Sequence, residues 1–359
     1  MGPRRRPHRL RLGLPNLILP AQHETAAGVV GGNTAGNTWL RRFAAWRRLG
    51  LFAPLAVLVA MCALVAAANP AFLSFGNMVR IANSAAIPLI LGCGATFIIL
   101  MGSIDLSVEG GVAIGTMIVA SLAINDSNSN DFGWFAPLLA IAAATLLGLL
   151  NGAIHVLLRI PSFMATLGTW FIGLGIATVA LGGSSVRVMD PHIRSLALQR
   201  FGGFPLAVWV ALLVFMVTLG VQNYTRFGCY LFAIGGGEDI AELSGVPVRR
   251  IRVLAYAVAG LFTGIGAVLA AAQLGQSNAV IADGRLFTTI TAVVVGGTAL
   301  TGGEGGVGRT LIGTLIVVVL ANGMVMLGIS PYVHQTAQGL MIIAAVALST
   351  RRIAFRIVK

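Results

Sequence analysis

Beyond residue 49 the chain alternates long apolar runs with short polar breaks. The runs cover roughly 50–68, 78–101, 105–124, 134–158, 162–182, 204–222, 252–272, 284–300, 308–327 and 332–350. Each approaches the ~20 residues that a helix needs to cross a bilayer. The pattern predicts an all-α polytopic membrane protein of about ten transmembrane helices. Two runs are weaker than the rest. The run near 284 is short and interrupted by glycine, and the run near 332 contains His334, Gln335 and Gln338.

Residues 1–49 read differently. They carry arginine at 4, 5, 6, 9, 11, 41, 42, 47 and 48 against a single acid, Glu24. The stretch "AAGVVGGNTAGNT" at 26–38 is small and polar, too poor in bulky side chains to pack, and residues 1–38 are expected to be disordered. The basic start is followed by Pro15 and Pro20, not by the unbroken apolar stretch of a signal peptide. In "WLRRFAAWRRLG" the aromatics Trp39, Phe43 and Trp46 alternate with arginine pairs, which suits an amphipathic helix at the membrane surface. The expected organisation is therefore a basic tail (1–49), a transmembrane domain (50–350) and a short basic C-terminal tail (351–359).

Composition strengthens this picture. Hydrophobic residues make up 57% of the chain and charged residues 10%, with a mean hydropathy of +0.90. A soluble fold could not hide that much apolar surface, so lipid is the expected solvent. The net charge of +13 would suggest nucleic acid in a soluble protein. Here the arginines sit at the chain ends and between apolar runs, so membrane orientation explains them and no nucleic-acid partner is expected. With the N-terminus in the cytoplasm, all of the 24 Lys and Arg residues fall inside except Arg80, Arg187, Arg194, Arg200 and Arg285. An even number of spans also puts the basic C-terminus inside. Cys62, Cys93 and Cys229 show neither metal-ligand nor redox spacing.

The one long polar interruption, 223–251, is cytoplasmic on this topology. Within it "EDIAELSG" predicts a short helix. Gly237 precedes it, Glu238 and Asp239 suit the positive helix start, and Gly245 with Pro247 beyond it marks the stop. Ile240, Ala241, Leu243 and Ser244 are expected to share one face, with Glu242 outside it. Such a helix is either a surface for a partner protein or a solvated connector.

The chemistry elsewhere is sparse. "GGEGGVGRT" at 302–310 has the spacing of a phosphate-binding loop, but Arg309 stands where lysine belongs and an apolar span comes next. A glycine-rich turn between spans is the better reading. His155 and His334 are too isolated for a metal site, and none is expected. Gly111 and Gly115, Gly148 and Gly152, and Gly260 and Gly264 have the four-residue spacing of closely packed membrane helices. Gly296 and Gly297 with Gly302 and Gly303 suggest a broken segment. Asn83, Asn151, Gln273, Asn322, Gln335 and Gln338 either bond between helices or line a route for a polar neutral solute. Buried charge is scarce, so an external energy source is expected over an ion-coupled secondary carrier. An intramembrane enzyme has no catalytic constellation to support it.

Asp105 and Glu109 are the exception. In "ILMGSIDLSVEG" they fall at the start of the third span. Asp105 is a candidate N-cap, accepting from the amides near Ser107 and Val108, and Glu109 lies in the first turn where the dipole favours an anion. The alternative is a polar contact that changes during gating.

"GSIDLSVEG" also resembles the signature of the permease subunits of ribose- and xylose-type sugar ABC importers. The preceding "NPAFLSFGNMVRIANSAAIPLILGCGATFIILMG" has the setting of that family's second span. "PSFMATLGTWFIGLGIA" at 161–177, "TRFGCYLFAIGGGEDIAELSGVPVRRIR" at 225–252 and "AVVVGGTALTGGEGGVGRTLIGTLI" at 292–316 are similar to other segments of the family, in order. The resemblance implies a homodimeric permease in the bacterial inner membrane that receives a monosaccharide from an extracytoplasmic binding protein. It implies that ATP and Mg are used by a separate cytoplasmic ABC ATPase, and that residues 238–245 form the helix coupling to it. The alternative solute is another small neutral molecule, such as a polyol or an autoinducer-like compound. Ser103 and Glu109 replace usual glycines, and Leu286 and Thr288 stand where ribose-type members usually carry acids. The Arg-rich tail has no counterpart in the short N-termini typical of the family.

Overall fold

The computed structural model describes residues 36–330, residue 2, and positions 333, 336–341, 343 and 347, with side chains from residue 52 onward. The expectations for residues 1–35 and 351–359, and for His334 and Gln335, lie outside the described residues. The chain divides into Met1–Ala45 and Trp46–Lys359, and the helical bundle belongs to the second unit.

Helix α1 is Gly36–Ala68, a single helix where a surface helix and then a span were expected, and it starts inside the stretch expected to be disordered. After a short 3-10 turn capped by Asn69, Ser74 accepts from the Asn77 amide and starts α2, Phe75–Leu100. Beyond it lie α3 (Val108–Leu122), α4 (Phe135–Leu157), α5 (Ser162–Ala180) and a short α6 (Pro191–Leu198). Asp190 caps α6 and Pro191 fills its first position. Next come α7 (Leu206–Tyr224), α8 (Arg226–Gly236), α9 (Glu238–Leu243), α10 (Val248–Leu274), α11 (Arg285–Val295) and α12 (Val307–Met326).

Six of these helices, α2, α4, α5, α7, α10 and α12, are long and apolar enough to cross a membrane. Residues 52–68 of α1, together with α3 and α11, are apolar but shorter. Nine of the expected runs thus fall on helices. The run 332–350 is described only at scattered helical positions.

α10 is the centre of the bundle, packed against α4, α2 and α3. Its Tyr256 and Leu269 are fully buried, together with Ile90 and Ile98 of α2. α4, α5 and α7 instead turn large apolar side chains outward, among them Leu146, Phe171, Ile172, Leu213 and Met216. Exposing each to water would cost about 1.5–3 kcal/mol, which is why such a surface belongs in lipid. The glycine spacings place the tightest contact. A Cβ on Gly148 would meet the Tyr256 carbonyl, and one on Gly260 would meet the Ala144 carbonyl, so α4 and α10 touch backbone to backbone. Gly111 and Gly115 do the same service for α3, meeting Thr263 and Ala267 of α10.

The bundle is helical as expected, and among the described residues four two-residue strands accompany it. β1 (Val186–Arg187) pairs antiparallel with β4 (Gln276–Ser277), and Val188 bridges Asn125. β2 (Arg200–Phe201) and β3 (Phe204–Pro205) form a hairpin around Gly202 and Gly203, whose φ values of 59° and 86° suit a tight primed turn. These pieces gather where α3 and α10 end. The opposite end is knit by turns. A Cβ on Gly235 would meet the Leu100 carbonyl and the Gly303 amide, and Gly303 itself donates to Leu100 at 2.9 Å.

Candidate functional site

The turn at 101–107 sits at that second end and is held from three sides. Gly102 supplies the left-handed φ of 72° that reverses the chain after α2. The Ile104 amide donates to Ser162 Oγ at 3.2 Å, and the Leu106 amide donates to Thr166 Oγ1 at 3.0 Å, both on α5. From α10 the Tyr256 hydroxyl donates to the Ile104 carbonyl at 3.3 Å.

Asp105 folds back on this turn. Its Oδ1 accepts from the Ser107 amide at 2.8 Å and from the Ser107 hydroxyl at 2.6 Å. The N-cap position of α3 belongs to Ser107, so Asp105, the cap expected from sequence, stands two residues before the observed one. It forms an Asx turn instead, and the Ser107 hydroxyl takes the place expected for the Val108 amide. The bonds continue inward. Asn151 Nδ2 donates to Ser107 Oγ at 2.8 Å, and Thr169 Oγ1 donates to Asn151 Oδ1 at 2.6 Å. Asn151 is fully buried, and both of its polar atoms are engaged between helices.

Glu109 does lie in the first turn of α3, but its carboxylate serves another helix. Its Oε1 accepts from the Leu286 amide at 3.0 Å, at the start of α11. The residue before α11 is Gly284, with φ 77°, which has no side chain to offer as a cap. α12 is treated in the same way. It starts after Gly306, and Gln222 from the end of α7 accepts from the Val307 amide at 2.7 Å. Both helices borrow an acceptor from across the bundle.

The remaining polar candidates form separate pairs. Gln273 of α10 donates to Asn83 Oδ1 of α2 at 3.1 Å. Asn322 of α12 and Asn77 of α2 exchange two bonds, at 3.0 and 3.1 Å. Gly296 and Gly297 lie in the turn between α11 and α12. A Cβ on Gly296 would strike the Arg309 carbonyl, and Arg309 Nη1 donates to the Gly297 carbonyl at 2.9 Å. The structure thus joins Asp105 to Asn151, and Glu109 to the start of α11, and leaves Asn83 with Gln273, and Asn322, in pairs of their own. Exchanging Asn322 for leucine removes two interhelical bonds. It is expected to lower stability by about 1 kcal/mol, read from thermal unfolding in detergent.

α9 protrudes beyond the turns. Glu238 and Asp239 occupy its first turn. It ends in a Schellman pattern, with Gly245 (φ 81°) donating to Glu242 and Val246 to Ala241. The expected common face divides. Ala241 is 4% exposed and packs into the core, whereas Ile240 is 72% and Leu243 89% exposed, with Ser244 outward. Six residues make under two turns, so the inner side needs one small residue and the outer side keeps its two large ones. Arg252 of α10 pairs with Glu238 at 2.6 Å and ties α9 to the bundle. Glu238 is half-exposed, so Glu238→Gln is expected to change stability by less than about 1 kcal/mol, measured by the same unfolding assay.

Sequence reasoning missed Asn77, Ser107, Thr169, Gln222 and Tyr256. Each is a single polar group at a helix end or inside an apolar run, and only the partner across the bundle reveals it. Among the described residues, no group of three or more His, Cys, Asp or Glu side chains is placed to hold a metal ion.

Comparison with known proteins agrees with the resemblance. The family model described as branched-chain amino acid transport system / permease component matches residues 77–346. The probable ABC transporter permease protein YphD of Escherichia coli K12 is 34% identical over 293 residues, covering 81% of this chain and 87% of that protein. The ribose import permease protein RbsC of Bacillus subtilis 168 is 32% identical over 315 residues, 85% of this chain and 94% of its own. The L-arabinose transport system permease protein AraH of Escherichia coli K12 is 30% identical over 301 residues, 84% and 90% respectively. No solved structure matches.

Proposed function

The chain belongs to the family of ABC-transport permease components just described, and we propose that it is the transmembrane subunit of an ATP-driven importer for a monosaccharide. It is a multi-pass inner-membrane transport subunit and not an enzyme. The observation that carries the proposal is α9: a short helix at one end of the bundle that leaves Ile240 and Leu243 bare between Glu238, Asp239 and Glu242. Large apolar side chains ringed by charge are what a partner protein covers.

In this reading the α9 end faces the cytoplasm and 238–245 docks on an ABC ATPase, which uses ATP and Mg. The strand end faces an extracytoplasmic binding protein that delivers the sugar. Two copies of the chain form the pore, with about ten spans each and both termini cytoplasmic. The basic tail 1–49 stays on the cytoplasmic side, the transmembrane domain 50–350 carries the coupling loop 223–251, and the basic tail 351–359 returns to the cytoplasm. The sugar class is supported by the ribose and arabinose permeases among the relatives.

Uptake into proteoliposomes tests this. With the ATPase and binding protein present, labelled ribose or arabinose is expected to enter only when ATP and Mg are supplied on the ATPase side. Entry driven by a proton gradient without ATP would make the chain a secondary carrier. ATP-dependent entry of only another neutral solute would keep the importer and replace the sugar.

A further inference from the structure

Between the strand end and α11 the chain descends into the bundle. Ser277 pairs with Val186, and Val188 beside it bridges Asn125, just past the end of α3. Glu109, near the other end of α3, holds the Leu286 amide. At 1.5 Å per residue, the stretch 109–122 spans ~20 Å. α11 therefore begins about that far along α3 from the strand layer. The chain covers the distance in a few residues through successive tight turns, Ile281 donating to Asn278, Asp283 to Val280 and Arg285 to Ala282.

α11 itself rises only ~16 Å, too little for a hydrocarbon core of ~30 Å. Residues 276–295 are thus a re-entrant segment that ends in a half-helix. The first amides of such a half-helix lack partners within it, and lipid supplies none. Gly284 cannot cap them. Glu109, 3% exposed, provides the acceptor, and both Asp283 and Arg285, on either side of Gly284, lie within electrostatic range of it. α11 packs mainly on α12 and α2 and touches α3 sparsely apart from this junction, so the Glu109 bond is its tie to α3.

We propose that Glu109 is a positioning residue for translocation: its carboxylate pins the start of α11 to α3 and holds the descending segment 276–284 inside the bundle. The inference rests on the proposed transport function. Broken helices line solute routes in transporters, so a displaced α11 alters passage through the pore. It leaves the docking surfaces for the binding protein and the ATPase as they are.

Ala282 is fully buried in the descending segment and reports on it. In nanodiscs, Ala282→Cys is reacted with a maleimide, with protein lacking that substitution as the blank for the native cysteines. Combined with Glu109→Ala, labelling is expected to accelerate at least fivefold. In the uptake assay Glu109→Ala is expected to lower the maximal rate at least fivefold, while the half-saturating concentration of loaded binding protein stays within twofold. Glu109→Gln, whose amide oxygen still accepts a bond, is expected to lie between alanine and wild type in both readouts. It carries the test if the alanine variant does not fold. Wild-type labelling, or a wild-type maximal rate, in the alanine variant (or in the glutamine variant where it stands in) overturns the proposal. Failure of the unmodified protein to take up any solute counts against the transport reading instead, and labelling alone then decides whether Glu109 pins α11.

Discussion

Replacing Ile240 and Leu243 together with glutamate is expected to abolish ATPase binding and solute uptake while leaving the folded amount unchanged. Both side chains stand clear of the bundle, at 72% and 89% exposure, so nothing in the fold depends on them. Covering a large apolar side chain contributes about 1.5–3 kcal/mol. Losing two exceeds 100-fold in affinity at 1.4 kcal/mol per tenfold, before the added charges are counted. Ala241→Arg is expected to behave differently. Ala241 is packed into the core against the rest of the bundle, and a guanidinium there has no partner, at a cost of several kcal/mol. That variant should be lost from the folded peak in size-exclusion chromatography, and its failure to bind says nothing about docking. Co-purification with the ATPase separates the two cases. If the Ile240 and Leu243 variant still co-purifies and transports, α9 is not the docking helix.

The division of α9 shows where sequence reasoning stops. The helix, its acidic start and its glycine stop arise from local rules that six residues satisfy by themselves. Which side faces inward depends on α8 and α10, to which the local pattern is blind. Spans are legible for a similar reason: a run of apolar residues long enough to cross lipid has few other uses. The short helix α11 is less so, since an interrupted run looks like a weak span until the structure shows that the interruption is the element, and α3 reads as a full span because its apolar run includes the turn before it. The strands at 186–187 and 276–277 were not legible at all. Two residues carry no periodicity, and their partners lie about 90 positions away.

The two acids illustrate the same limit at the site. That Asp105 and Glu109 sit at a helix start is readable from their spacing and from the favourable field there. That one closes a turn by taking the Ser107 hydroxyl, and the other caps a different helix, is decided by tertiary contacts. Asn151 was recognisable as a polar group in lipid. Its partners Ser107 and Thr169 were not, because serine and threonine in membrane helices usually satisfy themselves on their own backbone. Thr169 does so as well, toward Ala165 and Thr166.

Gly148→Ala is expected to destabilise the protein by about 3 kcal/mol and Gly148→Leu to prevent folding, whereas Gly175→Ala is expected to be slightly stabilising. Both positions lie in apolar helices, so composition does not separate them. Contact does. A Cβ at 148 meets the Tyr256 carbonyl and comes within 3.0 Å of the Gly260 backbone. Neither can move without shifting α10 as a body. The crossing is reciprocal, since Gly260 has the same relation to Ala144 and Gly148, and Gly264 to Ile141. One methyl group therefore pushes apart a whole interface, where overpacking costs about 1–3 kcal/mol even in cores that relax. The displacement also reaches the site, because Tyr256 bonds the turn that carries Asp105. At Gly175 on α5 a Cβ meets nothing within 4 Å, and alanine there gains roughly 0.5–1 kcal/mol of helix preference. Thermal unfolding of the purified variants reads the contrast directly. Equal melting of Gly148→Ala and Gly175→Ala would mean that α4 and α10 do not cross at this point.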